Sequence, residues 1–275
     1  MQNQTIAFQG THGAYSEQAI YSNYPKSTKT LPLNSFTDIL QAVVTNQANL
    51  AILPIENSVA GTVLSAYDAL LDFNLHVQKE IVIPINHYLL ASKNTNLDKI
   101  RNVISHPQAL SQCAANIKLL NLEPTAHYDT AGAAAYIADL KDNQTIAAIA
   151  SKQAAEYYNL QILKSNFADK AFNQTRFFIL GNQKPPYNKT KPYKTSIVFT
   201  LANKVNALGE VLTIFSKQKI DLRKIESRPS KHSAWDYMFL LDFFGNIEDV
   251  NIRHTMQEIE SLTATFRILG SYITS

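Results

Sequence analysis

The sequence predicts an α/β protein of two domains, and three features support this. The 275 residues exceed the usual length of one domain. Apolar runs alternate with segments of helical periodicity through the first two thirds of the chain, which is typical of α/β layers with largely parallel strands. The segment 184–194, KPPYNKTKPYK, contains three of the ten prolines and four lysines, as a solvated linker does. The domains are therefore predicted at residues 1–183 and 195–275.

The elements of the first domain follow from local patterns. A strand is predicted at 5–8, followed by a helix at 16–24 with Ser16 as its N-cap. A second helix ends at Thr45, with Thr37 or Asp38 as its cap. Further strands are predicted at 50–55, 81–85, 87–91, 102–105, 145–150 and 176–180, and further helices at 62–73, 108–120, 131–140 and 152–158.

After the linker the pattern changes. Strands are predicted at 196–201, 222–228, 237–244 and 266–272, and helices at 207–218 and 250–262. The order βαββαβ within about 80 residues is typical of a ferredoxin-like unit.

Composition excludes several classes of protein. Hydrophobic residues make up 45% and charged residues 17%, which is ordinary for a globular chain and excludes a disordered one. A net charge of +3 gives no reason to expect nucleic acid as a partner. Neither a membrane-spanning run nor a signal peptide is predicted. The single cysteine, Cys113, fits a reducing compartment and buried packing, so we expect a cytoplasmic protein.

Four predicted strand-to-helix turns carry hydroxyl, amide or carboxylate groups, at residues 10–16, 56–58, 105–108 and 129–130. Ligands gather at the carboxyl ends of parallel strands, and helix N-termini hold anions. One such turn could merely cap a helix, but four together favour an anionic ligand. The spacing from Gly10 to Gly13 matches neither a phosphate loop nor a dinucleotide fingerprint, and the histidines show no metal-binding pair, so no metal site is predicted.

Two further segments place reactive groups at strand ends. Asn173–Phe177, NQTRF, puts the Thr175 hydroxyl beside Arg176, which could grip a carboxylate. The alternative for this segment is an edge strand with a solvated arginine. Glu56, Asn57 and Ser58 follow the apolar run LAILPI and could form either a site or a simple turn.

Seven motifs, in order, resemble the prephenate dehydratase family and span nearly the whole chain. They are QGTHGAYSE (9–17), PIENSVAGTV (54–63), SHPQALSQC (105–113), DTAGAA (129–134), AAIAS (147–151), NQTRF (173–177) and KIESRP (224–229).

The resemblance implies an activity and an architecture. The family converts prephenate to phenylpyruvate, with loss of water and carbon dioxide, and uses no metal or organic cofactor. Its catalytic domain has two lobes and a cleft, like a periplasmic binding protein, and its C-terminal ACT domain binds phenylalanine as a feedback inhibitor. The resemblance also implies a homodimer or homotetramer. Because no chorismate mutase segment precedes Met1, a monofunctional enzyme is expected.

The resemblance also implies roles for individual residues. Thr175 is the expected proton donor, and Arg176 binds a carboxylate or orients Thr175. The implied catalytic set is Thr175, Arg176, Asn57, Ser105, Gln112, Asp129 and Thr130. The implied substrate-binding set is Ser16, Glu56, Ser58, Gly61 and Phe177. The implied phenylalanine site comprises Asn206, Ala207, Leu208, Glu226, Ser227, Arg228 and Pro229.

Two departures from the family pattern bear on substrate and regulation. Asn206 stands where the family usually has glycine, although asparagine tolerates the left-handed backbone conformation. The forms of the first and fourth motifs are similar to the plant branch, which often prefers arogenate, so arogenate remains an alternative to prephenate. A non-catalytic binding protein with a sensor domain is the alternative from another class.

Overall fold

The structure is a computed structural model, and it describes residues 4–140, 143–202, 204–229 and 237–274. Residue contacts divide the chain into two compact units. The first comprises residues up to Asn74 together with Ile81–Ile179, and the second comprises Leu75–Glu80 and the chain from Leu180 onward. The sequence did not indicate that Leu75–Glu80 associates with the C-terminal residues. Among the described residues, no helix has both the length and the apolar composition needed to cross a bilayer.

One sheet of the first unit contains six strands. They are β1 (Thr5–Gln9), β2 (Lys29–Leu33), β3 (Leu50–Asn57), β4 (Gly61–Thr62), β5 (His76–Pro84) and β11 (Gln174–Gly181). Their order is β2-β1-β3-β11-β5, and β4 pairs with β3. The strand β1 pairs in parallel with both β2 and β3, and its apolar side chains Ile6 and Phe8 are fully buried.

The other sheet of this unit contains five strands. They are β6 (Tyr88–Ala91), β7 (Asn102–Ser105), β8 (Glu123–Ala126), β9 (Ile146–Ala150) and β10 (Gln161–Lys164), in the order β10-β6-β9-β7-β8. The strand β7 is parallel to β8 and β9, whereas β6 is antiparallel to β9 and β10. The unit is therefore a mixed α/β structure, and the prediction of largely parallel strands was too simple.

Seven helices of the described first unit cover these sheets. They are α1 (Tyr15–Asn23), α2 (Phe36–Val44), α3 (Leu64–Leu71), α4 (Pro107–Gln112), α5 (Ala114–Leu119), α6 (Thr130–Asp139) and α7 (Lys152–Tyr157). A short 3₁₀ helix spans Leu97–Lys99.

Several predicted helix boundaries were wrong. Ser16 lies inside α1, whose N-cap is Ala14 without a side-chain cap. The N-cap of α2 is Ser35 and not Thr37 or Asp38, and its hydroxyl accepts the Asp38 N–H. An N-cap side chain accepts from a backbone N–H two or three residues further along, so the helix begins before the predicted caps. The helix predicted at 108–120 is interrupted at Cys113, where ψ is 13°.

The second unit contains β12 (Tyr193–Leu201), α8 (Ala207–Lys217), β13 (Leu222–Pro229), β14 (Tyr237–Phe244), α9 (Val250–Leu262) and β15 (Thr263–Ile273). Its sheet has the order β13-β14-β12-β15 with antiparallel pairs, and the element order is βαββαβ. Phe199 and Phe243 of the sheet pack with Phe215 and Ile259 of the helices.

Two details of this unit bear on the predictions. Tyr193 and Lys194 belong to β12, so the last two residues of the predicted linker are in a strand. The Lys194 ammonium lies 2.9 Å from Glu80, which is 3% exposed. Asn206 precedes α8 with φ of 65°, the left-handed conformation that asparagine tolerates.

Candidate active site

The first unit contains a cavity of about 580 Å³ where five helices begin. Its lining includes Ser16 at the start of α1, Phe36 of α2, Ser65 of α3 and Thr130 of α6. The first N–H groups of a helix lack intrahelical partners and carry partial positive charge. No lysine or arginine occurs among the described lining residues. An anion in this cavity would therefore be attracted by helix ends and neutral donors rather than by cationic side chains.

The side chains of β11 alternate between the cavity and the opposite face of the sheet. Thr175 and Phe177 line the cavity, and Arg176 between them does not. The Arg176 guanidinium instead lies 3.4 Å from Glu56 Oε2 and over the Phe178 ring, 5.0 Å from its centroid. Glu56 is also outside the lining. Two of the residues expected to contact the substrate are thus paired with each other behind Thr175.

Asn57 holds the Thr175 side chain. Its Oδ1 accepts the backbone N–H groups of Val59 and Ala60, which fixes the orientation of the amide. Its Nδ2 then donates to Thr175 Oγ1 at 3.0 Å and to Asn173 Oδ1 at 2.7 Å. Because Oγ1 accepts this bond, the Thr175 proton remains available to a group in the cavity.

Gln112 and Ser105 were predicted together but are placed differently. Gln112 lines the cavity, and its Oε1 accepts from Asn173 Nδ2 at 3.0 Å. Ser105 is fully buried, and its hydroxyl donates to the Ile149 carbonyl at 2.6 Å. Ser105 therefore joins β7 to β9 and is outside the lining.

Asp129 and Thr130 lie at the start of α6 and line the cavity. One Asp129 oxygen accepts the Gly132 N–H as a helix cap, and the other accepts the Thr11 hydroxyl at 3.1 Å. Both oxygens therefore have donors, which offsets the repulsion that a carboxylate exerts on an anionic ligand.

Ser58 and Gly61 are not in the cavity lining. The Ser58 hydroxyl accepts the Gln174 N–H at 2.9 Å, so it connects the turn after β3 to β11. Gly61 has φ of 83°, which suits the tight connection into β4.

Many lining residues lie outside the predicted catalytic and substrate-binding sets, and His87, His106 and Tyr128 are among them. Burial lowers the pKa of His87 and of His106, and for His106 the nearby Asp129 opposes the shift. The His106 Nδ1 accepts the Gln108 N–H at 3.2 Å. Tyr128 is 66% exposed and donates to the Asn34 carbonyl at 2.6 Å, so it covers part of the cavity. None of these residues has a spacing signal, although His106 lies in a motif used above.

The predicted phenylalanine-binding residues lie in the second unit, at the start of α8 and along β13. Arg228 is 8% exposed, and Glu226 lies 3.4 Å from Lys224. A cavity of about 210 Å³ in this unit is lined by other residues, including His76, Lys184 and Asn246.

The first unit thus defines a class of protein: a mixed α/β protein with a cavity bordered by helix N-termini and by the Thr175 hydroxyl. A family model described as prephenate dehydratase matches residues 6–185. Arogenate dehydratase 1 of Petunia hybrida is 40% identical over 97% of this chain and 66% of its own length. Arogenate dehydratase/prephenate dehydratase 2 of Arabidopsis thaliana is 38% identical over 97% and 72%.

Two solved structures are similar to this chain over nearly its whole length. The prephenate dehydratase of Arthrobacter aurescens in complex with L-Phe has a TM-score of 0.88 at 27% identity, covering 98% of this chain and 90% of its own. The structure of GqqA, described as a novel type of quorum quenching acylase, has a TM-score of 0.89 at 32% identity, covering 99% and 98%. The chain belongs to the prephenate dehydratase family.

The comparisons correct one prediction and add one fact. The cytoplasmic location is wrong by this comparison, because the Arabidopsis arogenate dehydratase/prephenate dehydratases 1 and 2 are named as chloroplastic proteins. The chain spans 66% of the length of the Petunia relative and 72% of the length of the Arabidopsis one.

Proposed function

We propose that this chain catalyses the decarboxylating dehydration of prephenate to phenylpyruvate, as a hydro-lyase. The observation that carries the proposal is the Thr175 hydroxyl, which faces the cavity and accepts a bond from Asn57 at 3.0 Å. Around it, five helix N-termini provide positive potential, and no lysine or arginine occurs among the described lining residues. This arrangement suits a dianion that must lose a hydroxyl group.

The reaction requires one proton at the departing hydroxyl. As the bond between the ring and its carboxylate breaks, that electron pair enters the ring, carbon dioxide leaves, and the ring becomes aromatic. The hydroxyl departs as water when it takes the proton of Thr175, and solvent returns a proton to Thr175. The Asn57 N–H stabilises the negative charge that develops on Oγ1 during this transfer. General acid assistance of this kind contributes roughly 10²–10⁴-fold.

Arogenate is the second candidate substrate, because the plant relatives are named arogenate dehydratases. Arogenate carries an ammonium group where prephenate carries a ketone. An ammonium needs acceptors and negative charge, and Asp129 is the carboxylate among the described lining residues. In this proposal Asp129→Asn lowers kcat/KM for arogenate more than for prephenate. Equal loss on both substrates would remove Asp129 from substrate choice and leave it as a helix cap.

An acylase activity is less well supported, although the similar GqqA structure is described as an acylase. Nucleophilic acyl transfer needs a hydroxyl bonded to a base. No serine or threonine in the described cavity lining has a hydrogen bond with a histidine there. The His87 nitrogens contact Tyr15 and Gln112, and His106 Nδ1 accepts a backbone N–H.

We further propose that residues 1–183 form the catalytic domain and that the predicted linker, shortened by the two residues in β12, leads to an ACT-type regulatory domain. The βαββαβ order supports this, as does the L-Phe bound by the similar Arthrobacter aurescens protein. Phenylalanine would bind near the start of α8 and along β13, in a homodimer or homotetramer. A test is Arg228→Gln, which should weaken the response to phenylalanine while changing the basal rate less than threefold. Equal loss of both would contradict separate domains.

The deciding experiment measures initial rates on prephenate and on arogenate, each with and without phenylalanine. Faster formation of phenylpyruvate from prephenate supports the main proposal, and preference for arogenate moves the chain to the sister activity. Folded protein that turns over neither would refute both.

A further inference from the structure

A chain of hydrogen-bonded side chains beside the cavity connects Thr175 to His87 through Asn57, Asn173 and Gln112. From Thr175 the chain runs through Asn57 Nδ2 to Asn173 Oδ1 at 2.7 Å. It continues from Asn173 Nδ2 to Gln112 Oε1 at 3.0 Å, and Gln112 Oε1 lies 2.8 Å from His87 Nε2. Asn173 is 5% exposed and His87 is 2% exposed, so solvent does not compete with these bonds.

The backbone fixes the direction of every bond in this chain. The Val59 and Ala60 N–H groups require an acceptor, so Asn57 must present Oδ1 to them and Nδ2 to Asn173. Asn173 then accepts through Oδ1 and donates through Nδ2, which makes the facing Gln112 atom an acceptor. A nitrogen that contacts this same acceptor at 2.8 Å must carry hydrogen. The His87 ring is therefore protonated at Nε2.

The other ring nitrogen is used differently. His87 Nδ1 lies 2.8 Å from the Tyr15 hydroxyl, which also lies 2.8 Å from the Asn86 carbonyl. Burial lowers the pKa of His87, which favours the neutral ring. Nδ1 is then an acceptor, and it shares the single Tyr15 hydroxyl proton with the Asn86 carbonyl. A proton gained at Nδ1 would reverse only the bond to Tyr15. The bond from Nε2 to Gln112 is the same in both charge states.

The consequence for Gln112 is a fixed amide with a spare donor. Its Oε1 is held by both His87 and Asn173. Its Nε2 is buried and has no hydrogen-bond partner among the described residues. Rotation of this amide would place Nε2 against two donors, which is unfavourable. His87 therefore keeps Gln112 in the orientation in which Oε1 accepts from Asn173, and the other end of the Asn173 amide accepts from the Asn57 group that bonds Thr175.

We propose that His87 is a positioning residue that, through Gln112, Asn173 and Asn57, holds the Thr175 hydroxyl with its proton directed into the cavity. This inference rests on the proposed dehydratase function and on Thr175 as proton donor. His87 does not exchange protons with Thr175 in this arrangement, because amide side chains separate the two residues and do not relay protons.

The test is a double-mutant cycle between His87 and Thr175, measured as kcat and KM. His87→Leu removes the donor at nearly constant size, and we expect kcat to fall about 10–100-fold, since a misplaced catalytic group can cost roughly 10². KM should change less than threefold. His87→Gln places an N–H near the position of Nε2 and should recover most of the lost kcat. The exposed histidine control is His254→Leu, which should match the wild type.

The cycle separates positioning from a general structural effect. In a Thr175→Ala background, His87→Leu should reduce the remaining kcat by less than threefold, because its effect acts through the hydroxyl that is already absent. A full additional 10–100-fold loss there, or a normal kcat for His87→Leu alone, would overturn the proposal. An inactive wild type would instead refute the proposed dehydratase function.

A second measurement does not depend on turnover or on the folding of a variant. Nitrogen chemical shifts of ¹⁵N-histidine-labelled protein distinguish the two neutral tautomers of the ring. We expect His87 to carry its proton at Nε2. The Nδ1-protonated form would break the chain at Gln112 and refute the proposal even if all variants were inactive.

Discussion

The most informative single change is Thr175→Val, which replaces a hydroxyl by a methyl group of similar volume. The side chain is 9% exposed, and its Oγ1 accepts one bond, from Asn57 at 3.0 Å. Asn57 Nδ2 keeps two other acceptors, Asn173 Oδ1 at 2.7 Å and the Gln174 carbonyl at 3.2 Å. No donor is left unsatisfied, so the loss of folding stability should be only about 1 kcal/mol.

The effect on catalysis should be much larger. Loss of a general acid lowers kcat by roughly 10²–10⁴-fold, which at about 1.36 kcal/mol per tenfold is about 3–5 kcal/mol of transition-state stabilisation. The assay follows phenylpyruvate formation at saturating prephenate, and thermal unfolding of the same sample confirms the fold. Thr175→Ser keeps the hydroxyl and is the matched control, expected within tenfold of the wild type. A folded Thr175→Val protein with kcat within threefold of the wild type would refute Thr175 as the proton donor.

Three other predictions concern Arg176, His87 and Lys194. Arg176→Gln should lower the melting temperature and change KM less than threefold, because the guanidinium is paired with Glu56 at 3.4 Å outside the cavity. A tenfold rise in KM would indicate direct contact with the substrate. Burial lowers the pKa of His87 in the folded chain from its usual value of 6.5. At a pH between these two pKa values the unfolded chain binds a proton that the folded chain does not, so the free energy of unfolding falls as the pH falls. Melting temperatures of His87→Gln measured from pH 7 to 5 should therefore decline less than those of the wild type, and an equal decline would argue against this linkage. Lys194→Met should lower the free energy of unfolding, measured with denaturant, by about 3 kcal/mol, because it leaves Glu80 buried without this cation. The double variant with Glu80→Met should recover part of the loss, and no recovery would mean that the pair is not coupled.

Three of the four strands that the sequence did not predict share a position in the sheets. The strands β2, β8 and β10 lie at the ends of their sheet orders. All four residues of β8 are exposed, including Pro124. An end strand pairs on one side and buries little side-chain surface, so it lacks the apolar run that marks a central strand. Central strands such as β7 and β14 were predicted at the observed bounds, because burial on both faces or strict alternation leaves a clear pattern.

The helix boundaries failed for a different reason. Periodicity locates the apolar face of a helix but does not say which hydroxyl accepts the first free N–H. Ser16 was a reasonable cap by type, yet it lies within α1 and lines the cavity. The break at Cys113 is equally local, because apolar spacing continues across it and Cys113 itself is fully buried.

The sequence by itself determined the alternation of strands and helices, the βαββαβ segment and the family motifs, because these depend on residue order and local periodicity. It also indicated an anionic ligand from four polar turns. Only the tertiary structure decided which polar groups meet. The two-residue period of β11 turns Thr175 toward the cavity and Arg176 away, and the pairing of β7 with β9 encloses Ser105. His87 joined Gln112 through contacts between residues 25 positions apart, a separation that no local pattern encodes.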